Sequence, residues 1–227
     1  MSCNYNTKIV TDGLLHYFDA SDLKSYIRSG SAWNDRVSGG NATLFGNPSF
    51  SDDGNGSISF VPNDYGEVPW GANVNPYNNP ITISCWFKLN TLTTGDMLFS
   101  TGQDRGNFNF NQRLYFGTVS STRFGWGIQG VFWGVNDFPT TTTDLEWHNV
   151  TVVIDSVSAR CYIDNVLGAT KSVNNSYVLN DNLYLTKHDI DSTCINAKIA
   201  NFIIVNKAWT VDQMTVNYNA LRVRFGK

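Results

Sequence analysis

The side chains that could carry out acid–base chemistry in this chain are few and scattered. Only two glutamates occur, Glu67 and Glu146, and they lie far apart in the sequence. A retaining glycosidase needs two carboxyl groups about 5 Å apart, and the aspartates fall mostly in turn-forming contexts. The sequence contains no nucleophile elbow, phosphate-binding loop or zinc-protease helix motif. We therefore predict that the protein is not an enzyme.

The three histidines also give no catalytic pattern. His16, His148 and His188 are separated from one another and from any obvious partner. His148 alternates with Val150 and Val152, which places it in the apolar phase of a strand. We expect a buried, hydrogen-bonded histidine at position 148 rather than a general base.

A glycine-rich aromatic stretch from residue 124 to residue 134 is the strongest candidate for ligand binding. Aromatic rings pack against the apolar faces of sugars, and nearby amides and carboxylates hydrogen-bond to the hydroxyl groups. The predicted sugar-binding set is Trp126, Gln129, Trp133, Asn136 and Asp137. The alternative is that the rings fill the core while the glycines let the strands bulge. The spacing alone leaves both interpretations open.

Calcium is the metal for which the sequence offers the best candidate ligands. Asp189 and Asp191 are the best-spaced carboxylate pair, and Asp52, Asp53 and Asn55 are a second set. Calcium takes carboxylate and carbonyl oxygens from loops of this kind. The same residues also form turns by accepting hydrogen bonds from neighbouring backbone N–H groups. We favour the turn interpretation and keep calcium at Asp189 and Asp191 as a candidate cofactor.

Strand patterns separated by turn residues predict an all-β fold. Residues 81–89 alternate strictly between apolar and other side chains, as expected for a half-buried antiparallel strand. Asp164 and Asn165 suit a two-residue hairpin turn with positive φ angles. Further strands are predicted at residues 13–19, 43–45, 48–50, 57–61, 97–100, 113–117, 124–135, 147–155, 159–163, 166–169, 183–185 and 198–205. No helices separate these strands, which excludes a parallel sheet.

One helix is predicted at the end of the chain. Thr210 and Gln213 have the spacing of a capping box. Val211, Met214, Tyr218 and Leu221 follow at helical spacing and predict an apolar stripe that packs on the sheets. No linker or repeat divides the sequence, so we predict one domain spanning residues 1–227.

Composition and charge exclude several classes of function. Hydrophobic residues make up 41%, aromatic residues 14% and charged residues 15% of the 227 residues, and the net charge is −3. The lack of a basic cluster argues against binding to nucleic acid, and no apolar run is long enough for a membrane span. The N-terminal residues lack a signal-peptide pattern, so we expect synthesis in a cytoplasm. Cys85 and Cys161 lie in apolar strand positions and are expected to be reduced core residues.

Three segments carry a resemblance to a known family. They are residues 13–20 with Trp33-Asn34-Asp35, residues 56–65 with 81–88, and residues 147–151 with 161–165. In this order they resemble laminin-G-like, concanavalin A-like lectin/glucanase modules. The resemblance implies a jelly roll of two antiparallel sheets with a short amphipathic helix at the C-terminal end. Laminarinase-type enzymes of that family carry a Glu-x-Asp-x-x-Glu strand, which this chain lacks.

The C-terminal segment has a narrower resemblance. Residues 208–210, 217–221 and 224–226 resemble the closing helix of such modules in tailed-bacteriophage structural proteins. This implies a head decoration, fibre or tail adhesion protein on the virion surface. Its partners would be capsid or tail proteins, further copies of the chain and cell-surface glycans. The alternative hypothesis is a free-standing lectin that binds carbohydrate with or without calcium.

Overall fold

The chain folds as a sandwich of two antiparallel β-sheets, and an α-helix follows the last strand. The computed structural model describes residues 8–69, 78–93, 97–101, 114–120, 123–128, 144–173, 182–187 and 194–227. Its elements are β1 (Leu14–Asp19), β2 (Ala32–Asn34), β3 (Asn41–Phe45), β4 (Ser49–Ser51), β5 (Ser57–Phe60), β6 (Tyr65–Val68), β7 (Ile81–Leu89), β8 (Met97–Thr101), β9 (Leu114–Ser120), β10 (Arg123–Ile128), β11 (Trp147–Ile154), β12 (Ser158–Ile163), β13 (Val166–Ser172), β14 (Leu183–Leu185), β15 (Ala197–Val205) and α1 (Val211–Arg222).

The strands divide into two sheets, which we call sheet A and sheet B. Sheet A has the order β13-β12-β11-β7-β15-β5-β4, and β1 pairs with β15 beside β5. Sheet B has the order β10-β9-β8-β14-β6-β3-β2. Every strand pair is antiparallel, as the alternating sequence pattern predicts. The prediction of an all-β sandwich is confirmed.

The main core lies between the two sheets. In β7, the apolar phase of Ile81, Ile83, Cys85, Phe87 and Leu89 belongs to this core, and its boundaries match the predicted strand. Across the core, Phe99, Phe116 and Trp126 come from sheet B. Alternation along each strand therefore places one side chain in two inside the sandwich.

Helix α1 covers the outer face of sheet A. Its N-terminus has the predicted capping box, in which the Thr210 hydroxyl accepts from the Gln213 backbone and the Gln213 side chain accepts from the Thr210 backbone. Met214 packs with Trp209 against Ile203 and Val205 of β15. The prediction that Val211 belongs to the packed stripe is wrong, because that side chain is 59% exposed.

A 3₁₀ turn, Val223–Phe225, continues from α1 and is fixed to sheet A. The Phe225 ring stacks on Trp86, with centroids 4.2 Å apart, and contacts Trp147 at 4.9 Å. The Tyr218 ring of α1 also stacks on Trp86, with centroids 5.4 Å apart. These rings cover the outer side of β7 and β11, so that part of sheet A is not available to a ligand.

Two further predictions are confirmed by the backbone and by the thiols. Asp164 and Asn165 form the β12–β13 turn with φ angles of 48° and 64°. Cys85 and Cys161 are fully buried and free. Burial raises the pKa of both thiols, which keeps them protonated.

Within the described part of the chain, no helix is both long and apolar enough to cross a membrane.

Candidate functional site

The structure places Trp126 in the core rather than on a surface. Its side chain is 1% exposed, and it lies on the inner face of β10 opposite Phe116 of β9. An indole in this position cannot present an open face to a sugar. The other members of the predicted sugar-binding set, Gln129, Trp133, Asn136 and Asp137, lie outside the described residues.

Of the two predicted sets of calcium ligands, the second lies within the described part of the structure. Asp189 and Asp191 lie outside it. In the second set, the carboxylate of Asp53 accepts from the Trp147 indole at 2.9 Å and pairs with Lys198 at 2.8 Å and Lys88 at 3.3 Å. Burial opposes ionisation of Asp53, but these partners outweigh it and lower its pKa to about 2. Among the described residues, no three His, Cys, Asp or Glu side chains are grouped as a metal site.

His148 is the buried histidine that the alternation predicts. It is 4% exposed, with Nδ1 2.8 Å from Asp164 and Nε2 2.9 Å from Asp144. Burial alone would lower its pKa, but the hydrogen bonds and charges of the two aspartates dominate and raise it. Asp164 also accepts from the Asn149 backbone at 2.8 Å. The arrangement fixes the end of β11 to the β12–β13 turn.

The outer face of sheet B carries a row of polar and aromatic side chains across neighbouring strands. In the strand register, Glu67 of β6 lies opposite Tyr184 of β14, and Tyr184 lies opposite Ser100 of β8. Ser100 in turn lies opposite Tyr115 of β9. Cross-strand partners share a face of the sheet, and the alternate positions Leu185, Phe99 and Phe116 point into the core. The row therefore faces away from the core.

A second aromatic pair continues this surface on β3 and β6. Phe45 and Tyr65 are cross-strand partners whose rings stack with centroids 4.6 Å apart. We call the surface formed by Phe45, Tyr65, Glu67, Tyr115 and Tyr184 the tyrosine face. All five side chains are partly exposed. It combines flat apolar rings with hydroxyl and carboxylate groups.

Lys187 places a positive charge on the tyrosine face. Its ammonium group lies 4.1 Å from the Tyr65 ring centroid and 5.8 Å from that of Tyr184, within range of a cation–π attraction. Its backbone carbonyl accepts from the Ser100 hydroxyl at 2.8 Å. On the same face, the Asn182 amide donates to the carboxylate of Glu67. The rings and their polar neighbours are thus held in place before any ligand arrives.

Tyr115 lies flat against the neighbouring strand. A Cβ atom added to Gly127 of β10 would be 2.1 Å from Cζ of Tyr115, so the ring occupies the space that a side chain would fill. Gly127 and Tyr115 are cross-strand partners. The glycine therefore has a packing role and lets the Tyr115 ring lie along the sheet.

Sequence reasoning did not single out the tyrosine face. Tyr65 and Glu67 lie on a four-residue strand and Tyr184 on a three-residue strand, which are too short for a clear period-two signal. The usable signal was the alternation of Tyr65 and Glu67 with Gly66 and Val68. Only the register of the sheet joins these residues to Tyr115, which is distant in sequence.

One family model matches most of the chain. The model of the concanavalin A-like lectin/glucanases superfamily matches residues 61–215, which include β6 to β15 and the beginning of α1. No curated protein sequence matches the chain. The matched region contains most of the tyrosine face. It also contains strands β7, β11 and β15, which pair at the centre of sheet A.

Several solved structures share the fold at low sequence identity. Domain 4 of AbnA, a GH43 extracellular arabinanase from Geobacillus stearothermophilus solved with arabinotriose, aligns with a TM-score of 0.65 and 16% identity. The alignment covers 92% of this chain and 98% of that domain. Trypanosoma rangeli sialidase in complex with sialic acid gives a TM-score of 0.71 at 12% identity over 96% of this chain, but over only 35% of the sialidase.

A third structure extends the range of proteins that use this fold. The binding domain of Botulinum neurotoxin DC, in complex with rat synaptotagmin II, aligns with a TM-score of 0.65 and 15% identity, covering 93% of this chain and 52% of that one. At these identities the likeness is one of fold.

The prediction that the chain is not an enzyme is wrong. The fold occurs within an arabinanase and a sialidase, so it does not exclude enzymes.

Proposed function

This chain belongs to the concanavalin A-like lectin/glucanases superfamily, and on that premise we propose that it binds carbohydrate through the tyrosine face of sheet B. The observation that carries the proposal is the register that aligns Glu67, Tyr184 and Tyr115 on one outward surface. Sugars pack their C–H faces on aromatic rings and need directional polar groups at the edges. The tyrosine face supplies both.

The chemistry of the face supports a sugar over a purely apolar ligand. Tyrosine offers a rigid ring and a hydroxyl group at a low cost in conformational entropy. Burial, and then the nearby Glu67 carboxylate, raise the pKa of Tyr65, so its hydroxyl group remains a hydrogen-bond donor. Glu67 supplies acceptor oxygens and Lys187 supplies donors. A sugar ring stacked between them would meet partners of both kinds.

The first solved structure in the comparison is consistent with this proposal. Domain 4 of the arabinanase was solved in complex with arabinotriose, a short oligosaccharide. The alignment covers 98% of that domain. A pentose oligosaccharide is therefore the first ligand to test.

The test is a glycan array followed by titration calorimetry of the best ligand and of arabinotriose. Tyr184→Ala should weaken binding about tenfold or more, because truncation of a central aromatic contact typically costs about 2 kcal/mol. The matched control is Phe50→Ala, which removes a partly buried ring from β4 of sheet A. Circular dichroism should show that both variants keep the β fold. Failure of the unmodified protein to bind any glycan, or an unchanged affinity of Tyr184→Ala, would overturn the proposal.

Calcium dependence is tested by the same array. Asp189 and Asp191 remain the candidate ligands, and a chelator would abolish binding if calcium holds the sugar. Binding that is unchanged by the chelator would remove calcium from the proposal and leave the tyrosine face as the complete site.

A finer proposal places the domain on a virus particle. It is supported by the resemblance of residues 208–210, 217–221 and 224–226 to the closing helix of modules in tailed-bacteriophage structural proteins. In that setting the domain would attach capsid or tail proteins to cell-surface glycans, as one of several copies. Mass spectrometry of purified particles should then detect the chain, and its absence from the particles would contradict this finer proposal.

A further inference from the structure

At one side of the sandwich, the described strands bring together two side chains that the tyrosine face does not use. Sheet A ends at β13 and sheet B ends at β10. Lys171 of β13 reaches across this side, and its ammonium nitrogen lies 5.3 Å from the centroid of the Trp126 ring on β10. The contact joins the edge strands of the two sheets.

Lys171 points inward, which is unusual for a lysine. Its cross-strand partner is Ala159, a fully buried residue of the main core. Val173, two residues further along the chain, also belongs to that core. A lysine normally keeps its charged end in water, so this position needs a physical reason.

Both polar ends of this pair are buried without a hydrogen-bond partner. Within the described structure, neither Nζ of Lys171 nor Nε1 of Trp126 has an acceptor. A buried donor without a partner costs about 1–3 kcal/mol, and more if it is charged. Burial lowers the pKa of Lys171, which reflects this cost. The neighbouring Cys161 thiol does not offset this cost, because burial raises its own pKa and keeps it protonated and uncharged.

We propose that Lys171 and Trp126 form a binding site for a carboxylate group. A carboxylate has two acceptor oxygens and one negative charge, so it can accept from the indole N–H and pair with the ammonium group. This would satisfy both buried donors at once. The burial of both donor atoms strengthens the pairing because the local dielectric is lower than in water. The proposal is independent of the tyrosine face, which lies on the opposite side of sheet B.

The carboxylate could come from an acidic sugar or from a free organic acid. Titration calorimetry with glucuronate, acetate and glucose distinguishes these sources. Glucuronate and acetate should bind while glucose does not, and tighter binding of glucuronate than of acetate would identify an acidic sugar as the source. No binding of either acid at millimolar concentration would overturn the proposal.

Substitutions then locate the site. Lys171→Met keeps the length of the side chain and removes its charge, and it should weaken acid binding about tenfold or more, as expected for loss of a charge-assisted hydrogen bond. Trp126→Phe removes the indole N–H donor and should weaken acid binding less than Lys171→Met does. The control, Lys207→Met, removes the same charge at a position that is 51% exposed. Equal affinity of Lys171→Met and the unmodified protein would show that Lys171 only prevents the sheet edge from pairing with another chain.

The two binding proposals fail separately. Tyr184→Ala should weaken binding of the array glycan about tenfold or more and leave acid binding at Lys171 unchanged. Lys171→Met should have the opposite effect. Loss of acid binding in Tyr184→Ala but not in Lys171→Met would assign the carboxylate to the tyrosine face and overturn the edge site.

Discussion

The guanidinium group of Arg224 donates from Nη1 to both carboxylate oxygens of Asp19, at 2.8 and 3.0 Å, across 205 residues of sequence. Its other nitrogens donate to the backbone carbonyls of Gly54 and Gly56. The two side chains are 13% and 9% exposed. Arg224 thus ties the segment after α1 to the first strand of sheet A and to the turn before β5.

Arg224→Met should destabilise the fold strongly. Removing one partner of a buried ion pair leaves the other charge buried, which typically costs about 3–5 kcal/mol. The measurement is the free energy of unfolding from urea denaturation. When Arg224→Met is combined with Asp19→Asn, the loss of unfolding free energy should be smaller than the sum of the losses in the two single variants. Additive effects would show that the two residues do not interact.

Phe225→Ala should cost about 3–5 kcal/mol of unfolding free energy, as for other buried phenylalanines. The ring is 7% exposed and stacks on Trp86, so its loss leaves a cavity over sheet A. Val223→Ala is the matched control, because that side chain is 64% exposed and should change stability by less than about 0.5 kcal/mol. Equal stability of the two variants would contradict the packing of Phe225.

Gly127→Ala tests the position of the Tyr115 ring. The new methyl group would overlap the ring, which must then move away from β10. Because the ring can rotate, we expect a loss of sugar affinity with less than the roughly 1–3 kcal/mol of destabilisation typical of an overpacked core. Gly40→Ala is the control, because the nearest atom to a Cβ atom added there is Ser38 Oγ, at 3.3 Å. Calorimetric titration that gives equal affinities for the two variants would exclude Tyr115 from the site.

Stability should depend on pH through His148. Folding raises the pKa of His148. The stabilisation that the protonated ring contributes to the folded state is therefore fully present below the unfolded pKa of 6.5, and it is lost as the pH rises through the folded pKa. The thermal unfolding midpoint should therefore fall as the pH rises above about 6.5. In His148→Gln this fall should be absent. An identical pH profile for both proteins would contradict the pairing with Asp144 and Asp164.

The elements that could be predicted from sequence are those with a strong local signal. Strand β7 has nine alternating residues, α1 begins with a capping box, and the Asp164-Asn165 turn needs positive φ angles that these residue types tolerate. Each of these features is decided by neighbours within a few positions. The stripe of α1 was only partly correct, because Trp209 before the helix takes the packing place expected for Val211.

The binding surfaces were not predictable in the same way. The glycine-rich aromatic stretch that contains Trp126 has the composition of a sugar-binding surface. The pairing of β10 with β9 nevertheless places the Trp126 side chain in the core. Tyr184 meets Glu67 and Ser100 only through the register of short strands. Lys171 looks like a surface lysine until the opposite sheet edge is in place. Such relationships depend on long-range pairing, which a single sequence does not encode in any local pattern.

The position of β15 in sheet A has a consequence for how the chain acquires its structure. This strand pairs with β7 on one side and with β5 and β1 on the other, although it is the last strand in the sequence. Until residues 197–205 have left the ribosome, β1 and β5 have no neighbour in the middle of the sheet. Closing such distant segments is slow, so we expect folding to be largely post-translational and the incomplete nascent chain to be the species most exposed to aggregation.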